Sequence, residues 1–156
     1  MARQLLKGLM MLMMIIGLAL ATAAVANGQS NNRVIANVPF DFIAEGKECQ
    51  SGQYDVRLIN GVDLMGIRSA DRADQVLAFT YPSNGVNGQT LNAKLVFHRY
   101  GDTYFLSQVW LAGENTGREL RQSRRERAIG RELGKIASAR GDKSPLYEVV
   151  EIIAER

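Results

Sequence analysis

The sequence predicts a mainly β fold: a small antiparallel β-barrel or sandwich of about six to eight strands, with one α-helix near the C-terminus covering part of the sheet. Three observations carry this. Apolar residues alternate with polar or small ones along most of the stretch from Val34 to Leu111, the period of half-buried strands. The hairpin sequence Leu91 to Leu111 is apolar on both faces, so its second face needs a cover. A later stretch switches to helical spacing behind a Ser-x-x-Glu signal.

Residues 1–26 read as a leader outside the fold. Arg3 and Lys7 make a positive start, Gly8 to Ala26 carry no charge, and Ala24-Val25-Ala26 forms a small-x-small cleavage site. This is the layout of a secretory signal peptide. The alternative is an uncleaved anchor, because an apolar run of about 18 residues can span a bilayer. Gly17 and the Ala/Thr-rich tail favour cleavage. Residues 27–156 then form a single β-rich domain, and its net charge falls from +3 to about +1 without Arg3 and Lys7. The lone cysteine, Cys49, cannot form an internal disulfide, so packing alone must hold the domain. Cys49 itself reads as a small buried hydrophobe at a strand start; an intermolecular disulfide or a reactive thiol is the alternative.

Asn27 to Asn32 is a polar, loose N-terminus. Val34, Ala36, Val38, Phe40 and Phe42 alternate as one strand, with Pro39 marking an edge or a bulge. Glu45-Gly46-Lys47 and Ser51-Gly52 are turns. Tyr54, Val56 and Leu58 line a second strand, Asn60-Gly61 signals a hairpin, and Leu64 to Arg68 returns as a third strand. Asp71 to Asp74 turns the chain into a fourth strand, Gln75 to Tyr81. Pro82 to Gln89 reads as the longest loop.

Gly101-Asp102 suits a type II′ turn at the tip of the Leu91–Leu111 hairpin. That register pairs Tyr100 with Thr103, Arg99 with Tyr104, His98 with Phe105 and Phe97 with Leu106. It places Leu95, Phe97, Tyr104, Leu106 and Trp110 on one face. Val96, His98, Tyr100, Phe105 and Val109 take the other. The cover is a helix of about Ser123 to Ala139, opened by the capping box Ser123-x-x-Glu126. Ile129, Leu133 and Ile136 form its apolar stripe. Gly130 and Gly134 weaken it by up to about 1 kcal/mol each, or else allow close approach to the sheet. Gly141 ends it, and Leu146 to Ala154 is a last strand.

The motifs exclude more than they assign. His98 is the only histidine, so a zinc site lacks ligands and His98 reads as a hydrogen-bonded structural residue. A triad of His98, Asp102 and Ser107 lacks a nucleophile-elbow glycine pattern. No Gly-x-Gly-x-x-Gly or phosphate-binding loop is present. Asp41, Asp55 and Asp63 read as outward strand residues and not as a glycosidase pair. The local anomaly is Arg118 to Lys143, with nine basic residues against four acidic ones. Within it Arg127, Arg131 and Lys135 repeat at i, i+4, i+8, a spacing at which like charges repel. The structural reading is a solvated helix face; the functional reading is a site for an anionic partner.

Several segments together resemble a family of exported bacterial proteins of unknown function. They are Val38-Pro39-Phe40-x-Phe42, Gly52-x-Tyr54-x-Val56, Lys94 to Asp102, Tyr104-Phe105-Leu106-Ser107-x-Val109-Trp110, and Ser123-Arg124-Arg125-Glu126. The resemblance spans about Val38 to Leu133. It implies a signal peptide and a compact β-rich domain with a helix near the C-terminus, and it implies no activity or ligand. Cys49 departs from the family pattern, which has an aliphatic residue there.

The expectation is therefore an exported, non-catalytic binding or interaction protein of the cell envelope, secreted or periplasmic, or membrane-anchored if the leader stays. No catalytic, cofactor-binding or metal residue is assigned. The candidate surface for an anionic partner is Arg124, Arg127, Arg131 and Lys135. An anionic envelope component or an apolar small ligand is the partner class. Nucleic acid is not expected, because no aromatics interleave with the basic residues. A small hydrolase using His98 and an assembly component acting through the Pro39 strand edge are the alternatives.

Overall fold

Alternation does most of the building. A computed structural model describes residues 33–59, 63–84, 92–141 and 144–154. The expected leader, the loose N-terminus and the Asn60-Gly61 turn lie outside these residues. The fold described is that of the unit Asn32–Arg156. Its first strands are β1 (Arg33–Val38), β2 (Phe42–Ala44), β3 (Lys47–Cys49), β4 (Gly52–Ile59) and β5 (Leu64–Ser69). Then come β6 (Gln75–Asn84), β7 (Lys94–Tyr100), β8 (Thr103–Trp110), β9 (Thr116–Leu120), the helix α1 (Arg124–Arg140) and β10 (Glu148–Ile153).

Among the described residues the fold is mainly β with one helix near the C-terminus, as expected, but the strand number and topology differ. Among the described residues ten strands join one mixed sheet. The order β1-β4-β5-β6-β9-β8 continues through β7 to β10. β2 lies parallel to β8, pairing Phe42 with Tyr104 and Ile43 with Phe105. The path forks there, because β2 and β9 share one edge of β8. β1 comes beside β10 with no ladder between them, so of the expected barrel or sandwich a closed barrel is not formed.

Residues from both flanks of the sheet meet in one core. Val34, Val56, Ile67 and Val76 stand opposite one another across β1, β4, β5 and β6. Leu95 and Phe97 of β7, Leu106 and Val109 of β8, and Val150 and Ile152 of β10 pack into the same cluster. Cys49 is buried there too, at 2% exposure. Burial pushes its thiol up to about 11, which keeps it protonated and unreactive at neutral pH.

Four local expectations need correction. The Val34–Phe42 run is not one strand: β1 stops at Val38 before Pro39, and Phe42 opens β2. Pro39 lacks the N–H that a ladder requires, so the chain bends there and the two halves find different partners. The first part of the loop expected from Pro82 to Gln89 is strand instead, since β6 runs to Asn84 and Pro82 faces Arg118 of β9; residues 85–89 lie outside the described residues. Past Phe79 that strand no longer pairs with β5, so a missing N–H is tolerated. Third, the four predicted pairs at the hairpin tip all form, around Gly101 at φ 61°. A bulge at Ser107 then exchanges the faces of the next residues. Val109 turns inward to the core, and Trp110 turns outward over Gly117 of β9. A Cβ on Gly117 would lie 2.5 Å from the indole, so only glycine fits. The fourth concerns the helix stripe. Ile129 and Leu133 pack on Ile43, Tyr100 and Phe105, but Ile136 stays outside that cluster at 44% exposure.

Candidate functional site

The site grows from how α1 is attached. Ser123 caps the helix, its hydroxyl accepting from the Glu126 N–H at 3.1 Å, and Gly141 closes it in the left-handed region at φ 68°. Only half of the expected capping box forms. The Glu126 side chain leaves the helix end and shares a hydrogen bond of 3.0 Å with His98 Nδ1 on β7. Glu126 is the only buried residue of the helix, at 4% exposure. An unpaired buried carboxylate is costly, so this bond fixes where the helix sits.

Tyr100 lies two residues beyond His98 on the same face of β7, and its hydroxyl feels the Glu126 carboxylate. Burial first, then the Glu126 carboxylate and Tyr147, push that hydroxyl up to about 12. It stays a neutral donor at physiological pH. The chain returns to β7 through Leu146 and Tyr147, just before β10. Tyr147 stacks on His98 with ring centroids 4.0 Å apart and lies 5.5 Å from Tyr100. Arg99 to Glu148 at 3.2 Å and Lys94 to Glu151 at 2.8 Å align β10 on β7.

These pieces enclose a groove of about 680 Å³ between α1 and the Leu146–Tyr147 segment. Its apolar surface is Tyr100, Gly130, Leu146 and Tyr147. Its basic rim is Arg124, Arg127 and Arg131, which the helical period brings to one side of α1. Among the described residues no carboxylate lies within ion-pair distance of these three guanidiniums. Arg125, between them in sequence, faces the other way and pairs with Glu48 at 2.7 Å.

Gly130 and Gly134 do not serve close packing. A Cβ at Gly130 would meet only the Tyr100 hydroxyl at 3.9 Å, and one at Gly134 only Leu146 at 3.7 Å, both ordinary contacts. The helix carries a propensity penalty of up to about 1 kcal/mol at each without a steric reason in the fold.

Three of the four expected anion-binding residues, Arg124, Arg127 and Arg131, are brought together; Lys135 lies beyond the groove. The other candidates are dispersed. Asp102 is fully exposed, 4.0 Å from Arg99, and takes no part with His98, whose partner is Glu126. Asp41 accepts from the Ser51 N–H, Asp55 pairs with Arg33 and Arg57, and Asp63 pairs with Arg118. The Arg33 and Arg57 guanidiniums offset the cost of its partial burial and hold the Asp55 carboxyl below its usual range. Tyr100, Leu146 and Tyr147 were not read as site residues, because their convergence depends on β10 pairing with β7. Gly130 offered the one local signal, a glycine inside a capped helix on the side of the arginines.

A second groove of about 500 Å³ includes Asp41, Glu48, Cys49, Asp74 and Asp102. Asp74 accepts from the Gln50 N–H and the Tyr54 hydroxyl, which fixes this loop corner. Among the described residues no cluster of three His, Cys, Asp or Glu is placed to hold a metal ion, and no helix is long and apolar enough to cross a membrane. No family model, curated protein or solved structure matches the chain.

Proposed function

We propose that the chain is an exported, non-catalytic binding protein of the cell envelope that captures an anionic partner at the groove between α1 and the Leu146–Tyr147 segment. The observation that carries this is the rim. Arg124, Arg127 and Arg131 hold their charges around one groove, with no carboxylate partner among the described residues. Folding gains nothing from like charges held three and four residues apart, whereas a bound anion would be met by all three. Export rests on the leader: residues 1–26 direct secretion and are cleaved after Ala26, which leaves the binding domain secreted or periplasmic.

Binding to vesicles containing phosphatidylglycerol and to envelope fractions tests the reading. Replacing Arg124, Arg127 and Arg131 with Gln is expected to weaken association about tenfold or more, equivalent to about 1.4 kcal/mol. Lys135→Gln, outside the groove, is expected to leave it within about twofold. Equal losses from both variants would mean a diffuse basic face and would remove the groove from the account.

A further inference from the structure

We infer that the ligand is a small amphiphile, an apolar body with a single anionic head, and not a polyanion held by charge alone. This deepens the proposed function and rests on it. Two observations carry it beyond the arginines. The groove's interior is apolar: Tyr100, Leu146 and Tyr147 line it, the last two still 38% and 36% exposed. Large apolar side chains left open in a concave site are a signature of ligand pockets, and about 680 Å³ is within their usual range. The second observation is Gly130, which lines the groove where packing has no need of a glycine. A long side chain there would fill the space beside Tyr100. A rule of helix composition broken without a packing gain points to function.

The chemistry orients the ligand. Glu126 and the Tyr100 hydroxyl close the inner end, and a carboxylate there repels an anion. The anionic head therefore lies at the rim with Arg127 and Arg131, which can each donate two N–H groups to a phosphate or carboxylate. The body runs inward over Gly130, between Tyr100 and the Leu146–Tyr147 wall. A free amphiphile and a lipid still in a bilayer share this chemistry. The free molecule is favoured, because a groove of about 680 Å³ has room for its whole body.

Calorimetric titration of the full chain with decyl phosphate below its micellar concentration, inorganic phosphate and decanol tests this, with phosphatidylglycerol vesicles as a fourth arm. Decyl phosphate is expected to bind at least about tenfold more tightly than either half-molecule alone. Gly130→Leu is expected to abolish that preference, and Gly130→Ala, which keeps helix and contacts intact, to reduce it about two- to threefold. Inorganic phosphate binding as well as decyl phosphate would overturn the amphiphile while leaving the anion site standing. Vesicle binding with no response to decyl phosphate would do the same. No binding of any anion would overturn both readings. Unchanged decyl phosphate affinity in a folded Gly130→Leu protein would also overturn the placement.

Discussion

Two outward faces of the sheet are both apolar, and among the described residues only one is covered. On β7 and β8, Tyr100 and Phe105 lie under α1, with Phe105 at 1% exposure. On β6, Leu77, Phe79 and Tyr81 alternate in the same way, yet they are 54%, 69% and 58% exposed. Area alone does not explain the choice, since apolar burial is non-directional and either face offers it. What β7 offers and β6 lacks is a polar anchor: His98 for Glu126, with Tyr100 beside it. A buried carboxylate needs its partner in one geometry, so the hydrogen bond selects the face and the apolar contacts follow.

The largest expected effect comes from setting the two faces side by side. Phe105→Ala should cost about 3–5 kcal/mol in denaturant unfolding, as for other buried aromatics. Phe79→Ala should stay within about 0.5 kcal/mol and improve solubility. Equal costs would mean that β6 is covered after all.

Glu126→Ala comes next, at about 1–3 kcal/mol, because His98 loses its partner inside the protein. Hydrogen exchange should show the α1 amides losing protection first, while β4 and β5 keep theirs. Loss of protection throughout would show that the helix and the core unfold as one unit.

The smallest effect is absent at neutral pH. Cys49 in the core and Tyr100 under the helix both have raised pKa values, to about 11 and about 12. Their folded forms favour the proton, so this contribution is complete below pH 9 and is lost as pH rises through 11 to 12. Alkaline titration followed by circular dichroism should therefore show stability falling only above about pH 9. Cys49→Ser should remove the earlier part of the fall, and Tyr100→Phe should reduce the later part, which Tyr54, also raised by burial, shares.

The same contrast explains what was legible in the sequence. The hairpin tip was, because Gly101 and strict alternation are local signals that no distant contact overrides. So were the helix ends, set by Ser123 and Gly141. The bulge at Ser107 was not. It falls where β8 changes partner from β2 to β9, a junction of segments far apart in the chain. The arginine stripe was visible as charge spacing. The groove that stops short of Lys135 was not, since its far wall comes from a segment placed only by the pairing of β10. Glu126 was read for its nearest role, the cap, and its carboxylate was claimed by a strand partner instead.

That pairing also sets when the molecule can become itself. Val150 and Ile152 belong to the last strand yet sit in the main core, and β7 has β10 as its outer neighbour. A ribosome must therefore release the chain through β10 before the interior can be completed. Until then the half-built sheet offers an unsatisfied β7 margin to any passing strand, a hazard of slow, non-local folding. A nascent chain of this kind therefore stays without its finished core until that last described strand has been made.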